Sequence, residues 1–199
     1  DSTATLQSAL RRTAEPSRAA ALQIRLVAVH QQAGDEAAVL EQKAAYVQRY
    51  AHPEALAALS RESKAGEALQ QYIDDLGEWH YRRAQGAQGE ARRVAFEKAA
   101  GYLQYYQALY LKQPEAGERL LLAGDAWKEA GDREAALQAY EAAAYQAPDF
   151  ERAGDAGYAV VLLRREHWDS DGGDAALASL SVESARFSRQ FPADVRTPR

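Results

Sequence analysis

An all-α protein built of stacked helical hairpins is what this sequence predicts, and three observations carry the expectation. Five of the six prolines, Pro16, Pro53, Pro114, Pro148 and Pro192, each close a long Ala-rich amphipathic stretch. Proline lacks the backbone donor and clashes with the preceding turn, so a helix stops at or just before it. Each interval between prolines also carries a break near its middle: Gly34-Asp35, Gly86–Gly89, Gly131-Asp132 and Ser170–Gly173. Glycine supplies the left-handed residue that ends a helix, and a following aspartate caps the next one. Finally, the segments between these marks are rich in Ala, Leu, Glu, Gln, Arg and Lys, with no alternating β-branched runs or Asn-Gly turns of a strand protein.

The proline intervals are 37, 61, 34 and 44 residues. A helix–turn–helix unit repeating at about 34 residues marks an array of stacked hairpins. The hairpins are expected at 17–53, 54–114, 115–148 and 149–192, with partial repeats at 1–16 and 193–199, all in one array. Within them, a short helix is expected at Glu54–Ser60, a long one over Glu67–Gln85 and a continuous one over Ala91–Lys112. The connection around Asp169–Asp174 reads as a long polar loop, with Asp174 capping the helix that follows.

Composition narrows function. A hydrophobic fraction of 47% with 27% charged residues suits a folded chain rather than a disordered one. No run approaches the ~18 apolar residues of a membrane-spanning helix. The net charge of −5, with eleven acids against six bases over 115–166, makes a poor polyanion binder, so nucleic acid is not an expected partner. There is no cysteine, and therefore no thiolate chemistry or Cys-ligated metal. The four histidines, His30, His52, His80 and His167, stand in distant segments without metal-ligand spacing. Asp169, Asp171 and Asp174 with Gly172 and Gly173 superficially look like a calcium loop, but the bidentate glutamate is missing at the required distance. No nucleophile elbow or phosphate loop is present. Neither catalysis, a cofactor nor a metal is expected.

One segment carries a specific signature. Residues 117–150 place Leu120, Ala123, Gly124 and Trp127 before the Gly131-Asp132 turn, and Ala136, Tyr140, Ala143 and Pro148 after it. The small residues allow close helix approach, with Trp127 and Tyr140 filling the space around the contact. In that pattern the segment resembles the tetratricopeptide-repeat (TPR) family at full length and in register; the other hairpins match more loosely. The resemblance implies a right-handed superhelical solenoid whose first helices line a concave, partner-binding face. On the matching repeat that face would carry Glu118, Leu121, Asp125 and Lys128, and on the next Arg152, Asp155 and Leu162. Leu121 and Asp125 stand where one branch of the family uses Lys and Asn to clamp a carboxylate, so a chaperone-tail clamp is not implied. An acidic groove instead favours a basic or amphipathic partner segment.

A second candidate anchor is the cluster Trp79, His80, Tyr81, Arg82 and Arg83, since Trp and Arg are enriched at binding hot spots. A core role for Trp79 is the competing reading. Among Tyr102, Tyr105, Tyr106 and Tyr110, Tyr105 is the one expected outside. The hairpin ends Tyr-Ala-His-Pro and Arg-Gln-Phe-Pro resemble those of bacterial envelope and periplasmic TPR proteins, which implies a periplasmic or envelope location, with the cytoplasm as the alternative. The function expected is a protein-interaction scaffold of a larger assembly. Self-association through apolar end faces, or service as the recognition arm of a larger enzyme, are the alternatives.

Overall fold

The computed structural model describes residues 2–197, apart from the side chain of Asp171. The sequence expectations for residues 1, 198 and 199, and for Asp171 as a ligand, lie outside the described residues. Every regular element described is a helix: α1 (Ser2–Arg12), α2 (Pro16–Ala33), α3 (Glu36–Tyr50), α4 (Pro53–Leu59), α5 (Lys64–Gln85), α6 (Gly89–Leu103), α7 (Tyr105–Leu109), α8 (Ala116–Ala130), α9 (Arg133–Tyr145), α10 (Ala153–Asp171) and α11 (Asp174–Gln190). The chain divides into two compact units, Asp1–Arg82 and Arg83–Arg199, so the division falls inside α5.

In the first unit, α2 and α3 form a hairpin closed by the expected Gly-Asp turn. Gly34 takes the left-handed conformation (φ 70°) and its N–H donates to the Gln31 carbonyl. The Asp35 carboxylate then accepts from the Ala38 N–H at 3.0 Å, satisfying a donor that α3 cannot satisfy itself. His52 plays the same part for α4, its Nδ1 accepting from the Ala55 N–H at 3.3 Å. Leu26 and Val27 of α2, Tyr46 and Val47 of α3, Leu56 of α4, and Leu69, Ile73 and Leu76 of α5 are all buried. Tyr46 buries its ring edge-on to Tyr72, 5.2 Å between centroids, while its hydroxyl donates to the Ala65 carbonyl at 2.8 Å. A buried ring with a bonded hydroxyl fixes both distance and rotation of the elements it touches.

In the second unit, α8 packs on α6 and on α9, α9 packs on α10, and α10 on α11. Gly131 (φ 85°) ends α8 and Asp132 caps α9 through the Ala135 N–H at 3.0 Å, repeating the first hairpin's turn. Gly124 faces Tyr140 so closely that a Cβ there would overlap the ring. This is the close approach of α8 to α9 expected from the small residues.

Three expectations are corrected here. The helix expected over Ala91–Lys112 is two helices, interrupted at Gln104 and ended at Leu109, where Tyr110 leaves the helical region (φ −129°). With that interruption, Tyr106, Leu109 and Tyr110 are all buried, whereas Tyr102 and Tyr105 both stay half-exposed. The long polar loop at Asp169–Asp174 does not form: α10 continues through Asp171, Gly172 ends it (φ 67°), and Gly173, not Asp174, is the N-cap of α11. Asp174 lies instead in the first turn, where the helix dipole favours an acid. Residues 193–197 do not begin a helix but fold into turns, with the Thr197 N–H donating to the Asp194 carbonyl at 3.0 Å.

Candidate partner-binding face

The second unit brings five of the candidate residues together. Glu118 lies in the first turn of α8, Asp125 two turns later and Lys128 in the last turn; Arg152 precedes α10 and Asp155 is its third residue. Helical spacing of three and seven residues keeps each set on one face. Arg152 bridges the two helices, donating from one terminal nitrogen to Glu118 at 3.1 Å and from Nε to Asp155 at 3.1 Å. Further along, Lys128 lies 3.8 Å from Glu166 of α10. These pairs are accessible to solvent, so each contributes about 0.2–1 kcal/mol and mainly sets register.

Asp125 differs from its neighbours. It is half-buried and accepts from the Tyr140 hydroxyl at 2.6 Å. Burial pushes its carboxyl above the ordinary aspartate value of 3.8, partly offset by the Tyr140 hydrogen bond and by Arg152 and Lys128. The folded protein therefore holds this proton more tightly than the unfolded chain does. The associated stability is present below pH 3.8 and is lost as pH rises through the raised folded value. Asp125→Asn, which keeps an acceptor for Tyr140 and removes the charge, is expected to lack this component. Asp125→Ala, which deletes the acceptor, should cost about 1 kcal/mol at neutral pH. Urea unfolding of the three proteins at pH 4 and pH 7 measures both effects.

Leu121 does not belong to this face. It is 5% exposed, because α8 is packed on both flanks and its buried arc is wider than a single stripe. Leu162 is 37% exposed and remains on the surface of α10. Trp79 and Arg82 sit in the first unit, where they line a separate cleft of about 210 Å³ with Leu40, Lys43 and Asp75. Trp79 is half-buried and stacks edge-on to His80 at 4.8 Å, while Arg82 is exposed. Deeper in that cleft Lys43, only 8% exposed, bonds Asp75 at 2.6 Å and lies 5.3 Å from the Tyr72 ring centroid.

Sequence reasoning missed Tyr158, Asp194 and Arg196. Arg196 reaches Asp155 at 3.1 Å and lies 4.9 Å from the Tyr158 ring centroid. Asp194 accepts from Nε of Arg196 at 2.7 Å and from its backbone N–H at 2.9 Å, which hold the Asp194 carboxyl down at about 2. A signal was present: Arg196 follows Pro192 by the same four residues that separate Arg152 from Pro148. The ribbon thus carries five carboxylates (Glu118, Asp125, Asp155, Glu166, Asp194) against three cations (Lys128, Arg152, Arg196). Among the described residues no group of three or more His, Asp or Glu side chains is placed to hold a metal, and no helix is long and apolar enough to cross a membrane. Comparison with protein-family models, characterised proteins and solved structures finds no match to this chain.

Proposed function

We propose that this chain is a TPR-like helical-hairpin protein that acts as an interaction scaffold, holding a basic or amphipathic segment of a partner protein along the face shared by α8 and α10. The observation that carries the reading is the ribbon joining Glu118, Arg152 and Asp155 beside Asp125 and Lys128, accessible to solvent and bearing an excess of carboxylates. Charges arranged so do little for affinity alone; they select partners and set register. Because Glu118 and Asp155 already share Arg152, a partner exchanges ion pairs with this face rather than meeting bare acids. Support for the TPR-like part comes from the Gly-Asp turns and from the Gly124–Tyr140 packing. A place in a bacterial envelope assembly follows from the hairpin-end phrases.

The test uses the acids that do not hold the fold together. Glu118 and Glu166 are about half exposed (53% each), so Glu118→Lys/Glu166→Lys reverses the charge without opening the interior. Peptides selected from a random library on the wild-type protein should be rich in Lys and Arg. They should bind the double variant about ten-fold more weakly, the scale of two lost peripheral charge contacts. Selection without basic enrichment, or equal affinity for both proteins, refutes the assignment.

A further inference from the structure

The segment following α11 has a chemistry of its own. Phe191 is anchored against Phe187 at 5.2 Å and Tyr145 at 5.9 Å between ring centroids. Beyond it the chain turns on itself: the Asp194 N–H and the Thr197 hydroxyl both donate to the Phe191 carbonyl, at 3.1 and 2.8 Å. Val195 is 96% exposed, so the tip of this turn rests on nothing. Arg196 ties it back to α10, bonding Asp155 and lying beside the Tyr158 ring, with Asp194 orienting the guanidinium from the other side at 2.5 and 2.7 Å. Gly154 leaves the room for this: a Cβ there would sit 3.0 Å from the Asp194 carboxylate.

The arrangement repeats one found a hairpin earlier. Arg152, four residues after Pro148, bonds Glu118, the third residue of α8; Arg196, four residues after Pro192, bonds Asp155, the third residue of α10. In the first case the arginine leads directly into α10. In the second it lies inside the turn of residues 194–197, and its pair with Asp155 is open to water, 31% exposed on Arg196 and 45% on Asp155. Exposed ion pairs are weak and exchange readily.

We propose that Asp155 and Tyr158 form an arginine-accepting site, which the chain's own Arg196 fills as an internal competitor of an arginine carried by the partner segment. This rests on the reading of the α8/α10 face as partner-binding, and deepens it: one position of the partner is an arginine, and access to its site requires residues 192–197 to swing away. A guanidinium suits the site because it can bond a carboxylate and lie on an aromatic ring at once, which an ammonium does less well.

The experiment follows the backbone amides of Gly154, Asp155 and Tyr158 by NMR in the full chain. In Arg196→Ala, a capped peptide of residues 191–197 added in trans should move these signals saturably toward their wild-type positions. The same peptide with lysine at its arginine should bind more weakly, and Asp155→Asn in the Arg196→Ala background should abolish the response. Wild-type protein should bind the peptide up to about five-fold more weakly than Arg196→Ala, the ceiling set by an exposed ion pair. No saturable shift in Arg196→Ala, or equal response to both peptides, overturns the site. Equal affinity for wild type and Arg196→Ala overturns the competitor role. Neither result depends on Glu118 or Glu166, so failure of the partner-face test leaves this one readable, and the reverse.

Discussion

Replacing Gly124 by alanine is expected to lower stability by about 1–3 kcal/mol, although alanine is intrinsically the better helix former by about 1 kcal/mol. The added methyl would occupy space now filled by the Tyr140 ring. That ring cannot retreat cheaply: Tyr140 is 2% exposed, and its hydroxyl is committed to Asp125 at 2.6 Å. Either α8 and α9 move apart, loosening the contacts of both, or the tyrosine leaves its rotamer. Gly101 is the control. It also lies within a helix, α6, but a Cβ there meets nothing within 4 Å. Gly101→Ala should therefore gain up to about 1 kcal/mol from propensity alone. Opposite signs at the two glycines, read from urea midpoints, would locate the effect in packing; equal signs would not.

Asp75→Ala is the second large loss expected, about 2–3 kcal/mol, somewhat below the usual range for breaking a buried pair because Asp75 itself is 38% exposed. Its removal leaves the Lys43 ammonium, 8% exposed against the Tyr72 ring, without its carboxylate. The remedy distinguishes charge from shape. Adding Lys43→Met to Asp75→Ala keeps the apolar stem over Tyr72 and removes the stranded charge, so most of the lost stability should return. If the double variant is no better than Asp75→Ala, the loss comes from packing around residue 75 instead.

The hairpin turns were legible because their signals are local. Gly34-Asp35 and Gly131-Asp132 each combine a residue that tolerates positive φ with one whose carboxylate reaches an N–H three residues on, and both do so in the structure. The interruption at Gln104 was not legible, since Tyr102 to Leu111 reads as an acceptable helix and only the burial of Tyr106 and Tyr110 decides otherwise. Leu121 was misplaced for a related reason: helical periodicity gives one apolar stripe, whereas α8 is covered on two sides. Asp169 to Asp171 read as loop because they are polar, yet polar residues cap and end an exposed helix without strain once Gly172 supplies the turn. The Lys43–Asp75 pair joins residues 32 apart with no shared motif, and Arg196 was hidden by its distance from Asp155. Long-range electrostatic partners leave no local trace, and only the repeated four-residue step after proline pointed to the last of them.

The neighbour-to-neighbour packing from α8 to α11 also bears on time. Each of these helices packs mainly on helices close to it in sequence, so the contacts that form this unit close short loops. Short closures cost little chain entropy and form early, which places such topologies among those folding in microseconds to milliseconds. The same linear order makes opening directional. α11 packs on α10 and meets α9 through Tyr145, whose hydroxyl donates to Glu183 at 2.6 Å, whereas α8 and α9 are each packed on two flanks, so the amides of α11 should exchange with solvent before theirs.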